Sequence, residues 1–130
     1  MAKTILLVDD SRTHRSLLRV FLTGHDFEFV EAANGVEALD IVMRQRVDLA
    51  IVDLHMPELD GVGLLKRLRA SARKDVRNLK VVLLTGEKEQ ASLAEALKAG
   101  ANELLRKPVS SAGTLNVVLR LLGPEGAPKA

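Results

Sequence analysis

The chain has 130 residues, a formal net charge of +2 and no cysteine. That length is about one domain and buries a core without disulfide or metal staples, while the lack of thiols removes cysteine chemistry and gives no sign of an oxidising compartment. Three phenylalanines, with no Trp or Tyr, are too few for a base-stacking surface, and no apolar run reaches the ~20 residues of a membrane span.

The first apolar run, Ile5-Leu6-Leu7-Val8, is continuous and ends in Asp9-Asp10. It is too short for the apolar region of a secretion signal, so a soluble cytoplasmic chain is the expectation. Ser11 follows as a helix cap, and Leu17, Leu18, Phe21 and Leu22 form the stripe of a first helix that stops near Gly24. Arg12, Arg15 and Arg19, at i, i+3 and i+7, share one face of it. That face reads as solvated, with docking of an acidic partner as the alternative. His14 and His25 read as surface residues, and no cluster has the spacing of a zinc site.

Residues 27–32, Phe27-Glu28-Phe29-Val30-Glu31-Ala32, come close to alternation, as expected of an edge strand. Asn34, with Glu37 three residues later, resembles a capping box and opens a second helix to about Arg46. Leu49-Ala50-Ile51-Val52 is again continuously apolar and ends in Asp53. Asp60 precedes a third helix carrying Leu64, Leu65 and Leu68. This helix and its following loop are basic, with Lys66, Arg67, Arg69, Arg73, Lys74 and Arg77; membrane or nucleic-acid contact there is the weaker of two readings, behind plain solvation.

Val81-Val82-Leu83-Leu84 is the third continuous run and ends in Thr85-Gly86. A fourth helix over about 88–99 carries Leu93 and Leu97 and ends at Gly100. Residues 103–106 form a short, mixed run, a second edge strand, before Lys107-Pro108. A fifth helix follows Ser110 and Ser111 with Leu115, Val118, Leu119 and Leu122 on one face. Residues 1–122 form the expected domain, and the Gly/Pro-rich stretch 123–130 reads as a flexible tail.

Strands and helices alternate as (βα)₅, which predicts a doubly wound parallel sheet with right-handed crossovers. Continuously apolar strands suit a sheet covered on both faces. In such a sheet ligands bind outside the carboxyl ends of the strands. Asp9, Asp10, Asp53, Thr85 and Lys107 all follow strand ends, so they converge on one edge. Three carboxylates there call for a hard cation, and Mg²⁺ takes carboxylate oxygens, waters and phosphate oxygens. Lys107 and Thr85 supply a positive charge and a hydroxyl for phosphoryl oxygens. An aspartate carboxylate is a competent nucleophile for an acyl phosphate. Each residue alone has a plainer reading as a helix-terminal acid, a turn residue or a solvated lysine; the joint placement carries the argument.

These residues resemble the receiver domains of two-component response regulators, over about residues 3–122. Asp53-Leu54-His55-Met56-Pro57-Glu58-Leu59-Asp60-Gly61 fits that family's D-x-x-M-P-x-x-D-G pattern, with Asp9-Asp10, Thr85-Gly86 and Lys107-Pro108 in register. The resemblance implies a flavodoxin-like sheet of order 2-1-3-4-5, in a single-domain protein acting through its own surface. It implies that Asp53 accepts a phosphoryl group from a histidine kinase or histidine phosphotransfer protein. Mg²⁺, or Mn²⁺ in its place, would be held by Asp10, Asp53 and the His55 backbone carbonyl, with Asp9 acting through a water. Thr85 and Lys107 would hold phosphoryl oxygens, and Lys107–Pro108 would be cis. His55 and Glu87 would set the phosphoryl lifetime, and the arginine face would lie where such domains meet their donor. A downstream protein would read the face formed by helix 4, strand 5 and helix 5, on a monomer or weak dimer.

Leu104 stands where the family usually places an aromatic switch residue, which puts the route of output in question. The alternative reading is a pseudo-receiver, an interaction module of the same fold used without phosphorylation. Aspartate-nucleophile phosphatases need a D-x-D after the first strand, which Asp9-Asp10 does not supply. A nucleotide P-loop is excluded because its glycine-lysine motif does not occur.

Overall fold

The computed structural model describes residues 2–86 and 90–123, and of residues 90–93 the backbone alone. Glu87, the expected helix start near Lys88, the Leu93 side chain and residues 124–130 of the expected tail lie outside the described residues. The elements in order are β1 (Lys3–Val8), α1 (Arg12–Leu22), β2 (Phe27–Ala32), α2 (Gly35–Arg44), β3 (Leu49–Asp53), α3 (Gly61–Arg69), α4 (Lys74–Arg77), β4 (Lys80–Thr85), α5 (Gln90–Lys98), β5 (Glu103–Arg106) and α6 (Ser111–Leu122). The strands form one parallel sheet of order β2-β1-β3-β4-β5, so the two mixed runs are the edges, as expected.

Period-two alternation explains why the central strands are apolar throughout. Ile5, Leu7, Leu49, Ile51, Val82 and Leu84 point to one face and pack with Leu18 and Leu22 of α1 and Val117 and Val118 of α6. Their neighbours Leu6, Val8, Ala50, Val52, Val81 and Leu83 point to the other face, against side chains of α2, α3, α4 and α5. A polar residue at any of these strand positions would be forced into one layer or the other.

The helix starts follow the sequence signals. Ser11 Oγ accepts from the His14 N–H at 3.3 Å, Asp60 Oδ1 from Gly63 at 2.7 Å, and Ser110 Oγ from Gly113 at 3.0 Å. Asn34 Oδ1 accepts from the Glu37 N–H at 2.8 Å. The reciprocal bond differs from a capping box, because Asn34 Nδ2 donates to Glu37 Oε2 at 3.1 Å. The short helix α4, with buried Val76, falls where the sequence reads as a basic loop. Four residues are too few to carry a 3.6-residue period.

That loop is also less available than its charges suggest. Arg73 donates to Asp75 at 2.8 Å and to the Met43 carbonyl at 2.8 Å, and Arg77 donates to the Ser71 carbonyl at 3.3 Å. Arg69 turns inward and is half-buried. Much of the basic run is therefore occupied within the fold. Among the described residues, no helix is long and apolar enough to cross a membrane.

Candidate functional site

The strand order reverses between β1 and β3: the chain leaves β1 for β2 on one side, then crosses to β3 on the other. That switch point opens a crevice at the carboxyl ends of the strands. β1 delivers Asp9 and Asp10 to it, and β3 delivers Asp53. Thr85 ends β4 one residue beyond Leu84, the register partner of Asp53. Lys107 follows β5, its N–H bonded to the Thr85 carbonyl at 2.7 Å, and the Lys107–Pro108 peptide is cis.

The side chains meet there. One oxygen from each of Asp9, Asp10 and Asp53 lies within 4.8 Å of the others. Asp9 is 0% exposed and Asp53 5%, while Asp10 faces solvent. Lys107 Nζ donates to Asp53 Oδ1 at 2.9 Å, so one ammonium offsets part of the charge of three carboxylates. Burial pushes the Asp9 carboxyl above its ordinary range, and the nearby Asp53 charge pushes it further; the Ser11 N–H, His14 and Lys107 oppose the rise.

Asp9 Oδ1 accepts from the Ser11 N–H at 2.8 Å. Asp9 Oδ2 and Thr85 Oγ1 are buried and have no hydrogen-bond partner among the described residues. Buried polar atoms are normally satisfied. An all-oxygen donor set with a net negative charge fits a hard divalent cation, and the free hydroxyl beside it fits an anionic oxygen.

The loop after β3 is shaped for this edge. The Gly61 N–H returns to the Leu54 carbonyl at 2.9 Å. A Cβ at Gly61 would stand 2.7 Å from the Asp53 carbonyl oxygen, so only glycine permits the approach. Met56 is buried in the core layer of α2–α5, which ties the loop down, while the His55 side chain is exposed. Glu58 takes a left-handed φ of 69°, a strained value for a non-glycine residue that the sequence does not announce.

The arginine face of α1 divides. Arg15 donates to Glu31 Oε1 at 2.8 Å and to the Asp9 backbone carbonyl. Arg19 donates to Glu31 Oε2 at 2.8 Å and lies over the Phe29 ring. These two bonds hold the Glu31 carboxyl below the usual carboxylate range. Arg15 is thus a brace for the β1–α1 loop, whereas Arg12 is exposed. Leu104 pairs with Leu83 and packs, partly buried, against the α2–α5 layer.

His14 is exposed, as its reading as a surface residue expects, but it also stands at this edge. Its imidazole is half exposed, yet Nδ1 stands 3.4 Å from Asp9 Oδ2. His14 is the third residue of α1, its N–H bonded to the Ser11 cap, and its ring lies beside Asp9, two residues before that cap. The only available signal was its spacing of three from a capping serine.

The chain matches the family described as response regulator receiver domain over residues 5–119, and it belongs to that family. It is 33% identical over 121 residues to the transcriptional regulatory protein SrrA of Staphylococcus aureus, covering 93% of this chain and 47% of the relative. The chain therefore spans about half the length of the curated relatives it matches. A crystal structure of a response regulator from Chloroflexus aurantiacus superposes with a TM-score of 0.87 at 31% identity, covering 94% of this chain and 98% of the other. The chemotaxis protein CheY4 of Vibrio cholerae gives 0.85 at 29% identity, covering 94% and 100%. The receiver domain of the sensor histidine kinase PA1611 from Pseudomonas aeruginosa gives 0.84 at 28% identity, covering 95% and 99%, and was crystallised with a magnesium ion coordinated in the active-site cleft. The chain is a flavodoxin-like receiver domain of two-component signalling.

Proposed function

We propose that this domain accepts a phosphoryl group on Asp53 from a phosphohistidine of a histidine kinase or histidine phosphotransfer protein. The observation that carries this reading is the contact of Lys107 Nζ with Asp53 Oδ1 at 2.9 Å beside two further carboxylates. An Asp53 oxygen attacks phosphorus, the P–N bond of the donor breaks, and the imidazole leaves with its electron pair and takes up a proton. Transfer of this kind needs positioning and charge neutralisation more than covalent chemistry. Lys107 would exchange Asp53 for a phosphoryl oxygen, and the Thr85 hydroxyl, buried without a hydrogen-bond partner among the described residues, would donate to another. Mg²⁺, held by Asp10, Asp53 and the His55 carbonyl with Asp9 acting through water, would neutralise the oxygens of the transferring group. His55 and Glu87 set the phosphoryl lifetime. The domain then signals through α5, β5 and α6 to a protein partner in the cytoplasm, with Arg12 the outward arginine beside the donor. It is a switch, with self-phosphorylation and self-dephosphorylation its only chemistry.

Intact-mass measurement after incubation with Mg²⁺ and a small phosphodonor tests this. One added phosphoryl group is expected, lost in Asp53→Asn and in chelator. Uptake that persists in Asp53→Asn would remove the assignment.

Arg15 gives a second test. Its bond to the Asp9 carbonyl is charge-assisted and partly buried, so Arg15→Met should loosen the loop carrying both β1 acids. Loss of ~1.5 kcal/mol weakens Mg²⁺ binding by about tenfold. Arg19→Met, which touches Glu31 and Phe29 but not Asp9, should leave Mg²⁺ affinity unchanged. Calorimetric titration of both variants separates a loop brace from a general loss of surface charge.

A further inference from the structure

We propose that the outer face of α2 binds a second copy of this chain, antiparallel across a two-fold axis, in a weak, salt-sensitive dimer. α2 packs against β1, β2 and α3, and Ala38 and Val42 are buried there. Its other side carries Val36, 53% exposed, and Met43, 45% exposed. The two stand seven residues apart, two turns along one face and about 10.5 Å from each other. Leu39, partly buried, flanks them. Scattered apolar residues are ordinary at a surface. What marks this pair is the order of the charges around it.

Glu37 and Asp40 are exposed in the first part of the helix, and Arg44 and Arg46 are exposed at its carboxyl end. Arg73 donates to the Met43 carbonyl at 2.8 Å and brings a third arginine to that end. A two-fold axis crossing the helix near Leu39 and Asp40 lays the acidic half of one copy on the arginine end of the other. Glu37 then comes within reach of Arg44 of the other copy, and Val36 meets its Met43. A parallel pair would set like charges opposite each other, so the charge order selects the antiparallel one. The ion pair that Arg44 already makes is easily exchanged. It joins Arg44 to Asp40 at 3.1 Å with both side chains more than half exposed, an arrangement worth little in water. A ten-residue helix is about 15 Å long and covers less than the ~800 Å² per partner of a standard interface, so the association is weak.

Sedimentation velocity of the chain at rising concentration tests this in the wild type, Glu37→Arg, Arg44→Glu, the double variant with both changes, Val36→Asp and Leu97→Asp. The wild type should move from monomer towards dimer as its concentration approaches ~1 mM. Each charge reversal should weaken association at least ~10-fold, because the two-fold axis counts it twice, and so should Val36→Asp. The double variant should recover most of that loss, since the exchanged charges again meet opposite signs. Raising the salt to ~1 M should weaken the wild-type dimer severalfold. Leu97→Asp, at an equally exposed leucine on α5, should leave association unchanged. A wild type that stays monomeric at ~1 mM overturns the proposal. A dimer indifferent to both charge reversals overturns it too, as does a double variant no better than either single one. A dimer lost in Leu97→Asp and kept in Val36→Asp would place the contact on α5 and likewise overturn it.

Discussion

Arg69→Met is expected to lower the stability of the folded chain by ~3–5 kcal/mol. The guanidinium lies at the end of the sheet opposite the acids and joins three segments. Nε and Nη2 donate to the Gly100 carbonyl at 3.1 and 2.9 Å, and Nη1 donates to the Arg77 and Leu79 carbonyls at 3.0 and 2.7 Å. Nη2 also donates to Asn102 Oδ1 at 2.9 Å, the same atom that accepts from the Val81 N–H at 2.8 Å. One side chain thus closes the ends of α3, α4 and α5. Burial lowers its pKa, but the group stays charged at neutral pH. Methionine fills the space and leaves three carbonyls without this donor. Lysine should recover only part of the loss, because an ammonium lacks the planar fork. The neighbouring Gly100 has φ 104°, and a Cβ there would stand 3.0 Å from Arg69 Nε, so the glycine protects the clamp as well as the turn. Denaturant midpoints measure the effect. A midpoint for Arg69→Met equal to the wild type would show that the clamp contributes nothing.

Asp9→Asn is expected to act in the opposite direction, stabilising the cation-free protein at pH 7 by roughly 1–3 kcal/mol. The amide oxygen can still accept from the Ser11 N–H, and the amide nitrogen replaces a charge that burial and Asp53 both penalise. The sign follows from the raised pKa of Asp9. Between the unfolded value near 3.8 and the higher folded value, the folded state binds more protons, so wild-type stability falls as pH rises through that window. The gap between variant and wild type should close as pH falls towards 3.8 and be fully open above the folded pKa. Mg²⁺ should reverse the order, since the cation stabilises only the carboxylate form of the site. Thermal melts with chelator and with Mg²⁺, across pH, check both statements. An Asp9→Asn protein no more stable than the wild type in chelator, at any pH, would mean the pocket carries no charge penalty.

Much of this molecule was legible because its signals are local. The runs 5–8, 49–52 and 81–84 announced a sheet buried on both faces, and the caps Ser11, Asn34, Asp60 and Ser110 announced where helices begin. The gathering of Asp9, Asp10, Asp53, Thr85 and Lys107 followed from topology alone, since each sits at a strand end. What escaped depends on register and packing across the chain. Glu31 pairs with Arg15 and Arg19 only because β2 lies beside α1, so three arginines on one helical face looked equivalent. Arg69 was indistinguishable from its basic neighbours until Gly100 and Asn102 were brought to it. His14 reads as a surface residue at its position in the sequence, and its relation to Asp9 comes from the bend between β1 and α1. Helix α4 is shorter than any periodicity can register.

The placement of Asp53 has a consequence for how the protein breathes. It is the last residue of β3, a strand buried at every position and paired on both sides, to β1 and to β4. Local openings in proteins start at edges, loops and helix ends and reach central strands last. The acceptor is therefore anchored in the part of the fold that fluctuates least. Asp10, exposed on the loop beyond β1, sits in a part that can adjust at little cost. Such an arrangement lets the surroundings of the acceptor rearrange from one state to another while the acceptor itself stays in place as their common pivot.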